Sequence, residues 1–475
     1  MSDLKAWISI VFIAFSSCAY LQALRTQYSS GSTGKIVVSD NKHYLQHEDG
    51  RPFFWLGDSG WLLFQKLSRE EVVNYLEDRK AKGFNVIQCQ VIHEMHEVNC
   101  YGDSAFVRGD PMQTARTRDL SDLNRPGYWE HIDFVIDKAQ ELGIYVALVP
   151  VWGSVVRGNV FSVESAQHYA RYLAERFRNK QNIFWMNGGD TRGDLKREIW
   201  EAIGSTLKKY DPDHLITFHP FGRTQSSTWF HSAGWLDFNM FQSGHRRYDQ
   251  DDSQKKYGED NWRYVRDDCG KTPPKPTLDG EPSYENIPQG LHDATQPYWT
   301  ADDARRYAYW SVFAGACGHT YGDNAVMQMN RPGDKPSYGA HNYWYEALAD
   351  PGASQMKYLK NLMLSRPYFE RIGDQAVLAD SGQEEYERVL ATRGNGYLMA
   401  YTYTGHPFHV KMGRISGKAV RGWWYNPRNG EASDIGILEN SGIKEFHPAG
   451  IPAPGNDWIL VLDDSTRGFN KPGTE

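Results

Sequence analysis

The sequence predicts an α/β protein: a (β/α)8 TIM barrel followed by a small antiparallel β-sandwich. Three observations carry that expectation. Strand-like runs alternate eight times with amphipathic helical stretches over about 300 residues, as in a closed parallel barrel. Every one of those runs leads into a hydrogen-bonding or aromatic residue at one rim, as expected where strand ends build a site. After Leu364 the pattern changes to short strand candidates divided by turn signals, which reads as a sandwich of roughly 100 residues. A doubly wound open sheet is the structural alternative, but no glycine-rich phosphate loop follows the first strand.

The elements follow in order. Residues 1–23 read as a leader. Lys5 precedes the apolar run Trp7–Phe15, which is of signal-peptide length and too short to span a bilayer. Cleavage after Ala19 would give a soluble exported protein, secreted or periplasmic. Phe15-Ser16-Ser17-Cys18 also resembles a bacterial lipobox, and a membrane tether is expected only if Cys18 is lipidated. The barrel is expected over 24–370, opening with a hairpin between Gly34 and Phe54 that turns at Glu48-Asp49-Gly50.

Barrel strands 1 to 8 are expected at Phe53–Gly57, Asn85–Ile92, Tyr145–Val151, Asn182–Met186, His214–Phe218, Asp237–Phe241, Pro276–Leu278 and Gly318–Tyr321. Helical spacing of apolar residues marks Arg69–Lys82, Tyr128–Leu142, Val163–Arg178, Leu195–Tyr210 and Ala301–Ala316. Tyr358–Leu364 reads as a connecting helix. The sandwich, over 371–475, has strand candidates at Glu387–Ala391, Tyr397–Tyr403, Phe408–Met412, Ala419–Tyr425, Ile443–Phe446 and Trp458–Leu462.

Composition narrows the function. A net charge of −7 without a basic run argues against nucleic acid as partner, because phosphate binding needs clustered Lys and Arg. The 16 Trp and 28 Tyr exceed what a core needs, and flat rings stack on the apolar faces of sugars as well as on one another. A polysaccharide or oligosaccharide partner fits this surplus. Cys89, Cys100, Cys269 and Cys317 permit three pairings, and they are expected either free and buried or joined in one bridge. Their spacing suggests no zinc site, and no metal or other cofactor is expected.

Two carboxylates stand out by position. Asp190 follows strand 4 in Asn187-Gly188-Gly189-Asp190, and Glu281 follows strand 7 in Asp279-Gly280-Glu281-Pro282. Glycoside hydrolysis needs two carboxyl groups flanking the scissile bond, one to protonate the leaving oxygen and one to attack or stabilise the sugar cation. Asp190 also fits a plain turn, Asp190-Thr191-Arg192-Gly193, while Asp279 and Glu285 compete with Glu281. Around the pair, Asp58, His93, Asn187, His219, Gln242 and His245 are candidate sugar-hydroxyl ligands. Trp61, Trp152, Phe241 and Tyr321 are candidate stacking platforms, with core packing the bland alternative for each.

Several runs resemble one known family. Phe54-Trp55-Leu56-Gly57-Asp58-Ser59-Gly60-Trp61-Leu62-Leu63-Phe64 closely resembles the opening of the apiosidase-like barrel, glycoside hydrolase family 140. Gly83-Phe84-Asn85-Val86-Ile87-Gln88, the Asp190 and Glu281 motifs and Gly318-His319-Thr320-Tyr321-Gly322 are similar to it too. So are Leu364-Ser365-Arg366-Pro367-Tyr368-Phe369 and Gly422-Trp423-Trp424-Tyr425-Asn426-Pro427-Arg428-Asn429-Gly430, the last in the accompanying sandwich often labelled collagen-binding. The resemblance runs from Val37 to Asp463. It implies a retaining exo-glycosidase with Asp190 as acid/base and Glu281 as nucleophile, acting on a complex plant polysaccharide and releasing apiose. In the wider clan of retaining barrel glycosidases the acid is commonly Glu directly after Asn; here it is Asp, two glycines further on. An endo-acting hydrolase and a non-catalytic glycan-binding or adhesion protein are the rival readings.

Overall fold

The computed structural model describes residues 33–115, 127–380 and 383–474. The expected leader lies outside them. No described helix is long and apolar enough to cross a membrane.

The eight barrel strands are Trp55–Ser59, Val86–Gln90, Tyr145–Val149, Ile183–Thr191, Ile216–Pro220, Asn239–Gln242, Thr277–Asp279 and Gly318–Tyr321. They pair in parallel in the order 5-4-3-2-1-8-7-6, with Thr224–Gln225 added antiparallel beside strand 6. Strands 5 and 6 close the ring: Asp237 N donates to Ile216 O at 2.8 Å and Thr217 Oγ1 to Phe238 O at 2.8 Å. These strands are buried on both faces, which is why they read as continuous apolar runs. A three-stranded antiparallel sheet, Ile36–Val38, Leu45–His47 and Pro52–Phe53, lies at the N-terminal end, where Phe53 packs edge-on against Tyr145.

Local chemistry sets the helix ends. Ser68 and Glu71 form a capping box at the start of Arg69–Ala81, and Ser162 caps Val163–Phe177. The connecting helix is twice its expected length, Pro351–Leu364, because Pro351 and Gly352 start it where they read as breakers. Helix Asn261–Cys269, after strand 6, carries too short a periodic pattern to be expected from sequence.

The second unit pairs a six-stranded antiparallel sheet with a two-stranded one, Phe408–Lys411 and Ile443–Phe446. Val377, Phe408, Val410, Leu460 and Leu462 lie in the core between them. Strand Ala432–Glu439 is additional to the expected set; it is largely exposed and so lacks a buried alternation.

Barrel and sandwich share a buried junction built on helix Ala301–Ala314. Arg305 donates through Nε and Nη2 to the two carboxylate oxygens of Asp457, each at 2.9 Å, and Arg366 grips Asp463 at 2.8 and 2.6 Å. Tyr309 of the helix stacks on Tyr401 of the sandwich with ring centroids 4.8 Å apart. All four cysteines expected in the mature chain are free, Cys89 and Cys317 in the core and Cys100 exposed.

Candidate active site

At the C-terminal end of the strands a cavity of about 340 Å³ opens, lined by both Asp190 and Glu281. Strand 4 brings Asp190 there through a bulge. Asn187 and Gly188 pair with Phe218 and His219 of strand 5, but the next paired residue is Thr191, so Gly189 and Asp190 have no partner in the ladder. Gly188, Gly189 and Asp190 are all left-handed, with φ of 90°, 110° and 44°. Glycine is required twice. A Cβ on Gly188 would lie 2.6 Å from His219 O, and one on Gly189 2.5 Å from the Trp152 ring. The two glycines that separate Asp190 from Asn187 are thus what lifts it off the strand. Side chains replace the lost ladder bonds: Asp190 N donates to His219 Nδ1 at 3.2 Å, and Arg157 Nη1 donates to Asp190 O at 3.1 Å.

Glu281 sits between two histidines. His245 Nε2 is 3.1 Å from Oε1, and His219 Nε2 is 3.1 Å from Oε2 on a more bent line. Backbone groups fix both tautomers. His219 Nδ1 accepts from Asp190 N, and His245 Nδ1 accepts from Tyr284 N at 3.3 Å. An imidazole that accepts at Nδ1 carries its proton on Nε2, so both rings turn an N–H toward Glu281. Burial works to raise the Glu281 pKa, but the two histidines outweigh it and bring it down to about 2. Asp190 goes the other way. Burial raises its pKa above the ordinary carboxylate value and the Glu281 charge raises it further, with His219, Arg157 and His245 offsetting only part. The two neighbouring carboxyls are thus shifted in opposite directions.

Other expected residues divide by where their side chains point. Trp61, His93, Trp152, Gln242 and His245 line the cavity with the pair. Gln242 is buried at the cavity wall with its Oε1 unpartnered. Trp152 is half-exposed and available for stacking, while Trp61 backs it at 5.4 Å and donates to Tyr284 OH. His219 is fully buried and acts on the two carboxyl residues, not on the cavity space.

That corrects the expectation of His219 as a sugar ligand, and four more expectations are corrected. Asp58 is completely buried against the next helix, accepting from Tyr75 OH at 2.6 Å and pairing with Arg79 at 3.0 Å. Asn187 donates to Trp200 O, Phe241 stacks on Tyr264, and Tyr321 donates to Glu285. All four face outward into the helix layer, so none is a sugar contact. The competing carboxylates are also spoken for: Asp279 accepts from Ser243 and Asn261, and Glu285 from Tyr321 and Gly352. Sequence reasoning missed Gln90, Arg223, Arg246, Tyr284, His292 and Tyr338, which line the cavity largely from loops.

Glu285 carries a stability prediction. Burial pushes its pKa from 4.5 up to about 7. Its contribution is therefore fully present below the unfolded pKa of 4.5 and is lost as pH rises through about 7. Glu285→Gln should be more stable than wild type at pH 8, by up to roughly 3 kcal/mol, with the two converging in acid. Thermal unfolding at both pH values checks this; a variant no more stable at pH 8 contradicts it.

Comparisons with known proteins give the family of the chain. The family described as "Apiosidase-like, catalytic domain" matches residues 39–370, and "Putative collagen-binding domain of a collagenase" matches 372–463. A solved structure described as a glycoside hydrolase is 47% identical, covers 93% of this chain and 100% of its own, and has a TM-score of 0.89. Another, a glycoside hydrolase family 5 protein from Bacteroides vulgatus ATCC 8482, is 46% identical over 93% of this chain and 96% of its own, with a TM-score of 0.88. Among curated proteins none matches. With a matching family across the whole barrel and two close glycoside hydrolase structures, this chain belongs to the apiosidase-like family of glycoside hydrolases.

Proposed function

We propose that the protein is a retaining, exo-acting glycosidase that removes a terminal sugar from a complex plant polysaccharide, with apiose the first candidate. The observation that carries this is the split pair: Glu281 held ionised by two N–H donors beside an Asp190 whose pKa is raised. Asp190 protonates the departing oxygen while Glu281 attacks the anomeric carbon, forming a glycosyl-enzyme ester. Asp190, now a carboxylate, takes a proton from the water that breaks that ester, and the cycle closes with both groups restored. Trp152 offers an apolar face to the sugar, and His93 and Gln242 offer polar contacts to its hydroxyls. A cavity of about 340 Å³ is at the small end for ligand sites and suits one terminal unit better than a threaded chain. The apiose assignment rests on family membership, and fold alone does not fix a substrate.

The test is a screen of aryl glycosides, apiosides among them, and of pectic oligosaccharides, followed by proton NMR. The first product expected is a monosaccharide with the anomeric configuration of the substrate. An inverted first product would overturn retention, and cleavage of internal linkages with no monosaccharide released would overturn exo action.

A further inference from the structure

The loop after strand 8 holds an aromatic residue in a costly conformation at the edge of this cavity. Tyr338 has φ of 53° and is followed by Gly339 at 66°, so two successive residues are left-handed. For a bulky side chain that conformation persists only where the surroundings enforce it, and such positions gather at ligand sites. Here the enforcement is visible. Asn324 Nδ2 donates to Tyr338 O at 2.8 Å, and Gln328 bonds both the N–H and the C=O of Ser337, at 2.8 and 3.1 Å. Gln328 is in turn bonded to Asn324 at 2.8 Å, and both amides are buried.

The ring lines the cavity together with Asp190 and Glu281, and the charges of both carboxylates add to burial in raising the phenol pKa. The ring rests against His292, 5.7 Å between centroids, and the residue remains over a third exposed at 37%. Among the described residues the phenol hydroxyl has no protein hydrogen-bond partner, although it can both donate and accept. A rigidly pinned loop therefore presents an unengaged hydroxyl within electrostatic reach of both carboxylates.

We propose that Tyr338 is a specificity-determining residue, whose phenol hydroxyl bonds one ring hydroxyl of the sugar held between Asp190 and Glu281. The proposal rests on the assignment of those two residues as the reacting pair. Any bond that strengthens as the ring flattens toward the oxocarbenium-like state registers in kcat as well as KM.

The test pairs Tyr338→Phe with substrate deletion in the full chain. The probe is the best aryl glycoside from the screen, together with its monodeoxy analogues. Tyr338→Phe should lower kcat/KM for the parent by about 10- to 100-fold and leave the unfolding midpoint unchanged, since no protein bond is lost. One monodeoxy analogue should be turned over equally by variant and wild type, identifying the hydroxyl that Tyr338 reads. Equal losses for every analogue in both enzymes, or wild-type activity in Tyr338→Phe, would overturn the proposal. Wild-type turnover by Glu281→Gln would instead overturn the reacting pair, so the two failures are separable.

Discussion

Glu281→Gln is expected to lower kcat by on the order of 10⁴-fold or more while the chain still folds. The size follows from what is removed: an amide cannot form the glycosyl-enzyme ester, and the negative charge opposite the developing cation is gone. The variant also sets donor against donor. Glutamine places an NH2 group where one carboxylate oxygen stood, facing an Nε2–H of His219 or His245. Neither ring can move its proton to Nδ1 without forfeiting the backbone N–H of Asp190 or Tyr284. A modest stability loss of about 1 to 3 kcal/mol should therefore accompany the kinetic one. Loss of the Glu281 charge should also lower the Asp190 pKa, since that charge helps to raise it. Turnover of an aryl glycoside and a melting curve on the same sample check all of this. A Glu281→Gln enzyme with near-wild-type kcat would falsify the nucleophile assignment.

Asp190→Ala carries the second-largest effect, and it should depend on the leaving group. Proton donation is typically worth about 10² to 10⁴ in rate. That loss should appear in full for a sugar or alkyl leaving group and shrink for a nitrophenyl one, which departs without help. Plotting the rate against leaving-group pKa should give a steep line for the variant and a shallow one for wild type. In wild type, activity should fall as pH rises through the elevated Asp190 pKa, and that descending limb should vanish in the variant. A uniform drop across all leaving groups would instead assign Asp190 to positioning.

The barrel was legible because its strands are buried on both faces and its helices are amphipathic, so the change of period from one to the next is strong. The site was legible only in part, for a geometrical reason. Side chains alternate between the two faces of a strand, so nearness to a strand end does not settle which way a residue points. Asp58, Asn187, Phe241 and Tyr321 stand at strand ends and face the helices, whereas Gln242, one position after Phe241, faces the cavity. The alternation itself was readable; what was missing was its phase. The bulge at Asp190 was foreshadowed by its two glycines, whose need for left-handed backbone is a local property. Tyr338 gave no such signal. It lies in a loop, and what holds it there is the pair Asn324 and Gln328, ten or more residues earlier in the chain.

The junction between the two units bears on how such a chain can be inherited. The two family matches meet at residues 370 and 372, a border drawn by descent. The apolar core does not respect it: one cluster of buried side chains runs from Trp55 and Phe184 inside the barrel, through Tyr309, to Tyr401 and Val461 in the sandwich. A recombination event that severed the chain at that border would leave the Tyr309 face bare, take Asp457 from Arg305, which would keep only Asp302, and take Asp463 from Arg366. Removing one partner from a buried ion pair typically costs about 3 to 5 kcal/mol, a large share of what keeps an ordinary domain folded. The barrel is thus bound to its sandwich as cargo to carrier, and a catalytic half transplanted alone would need a new partner shaped to the same face.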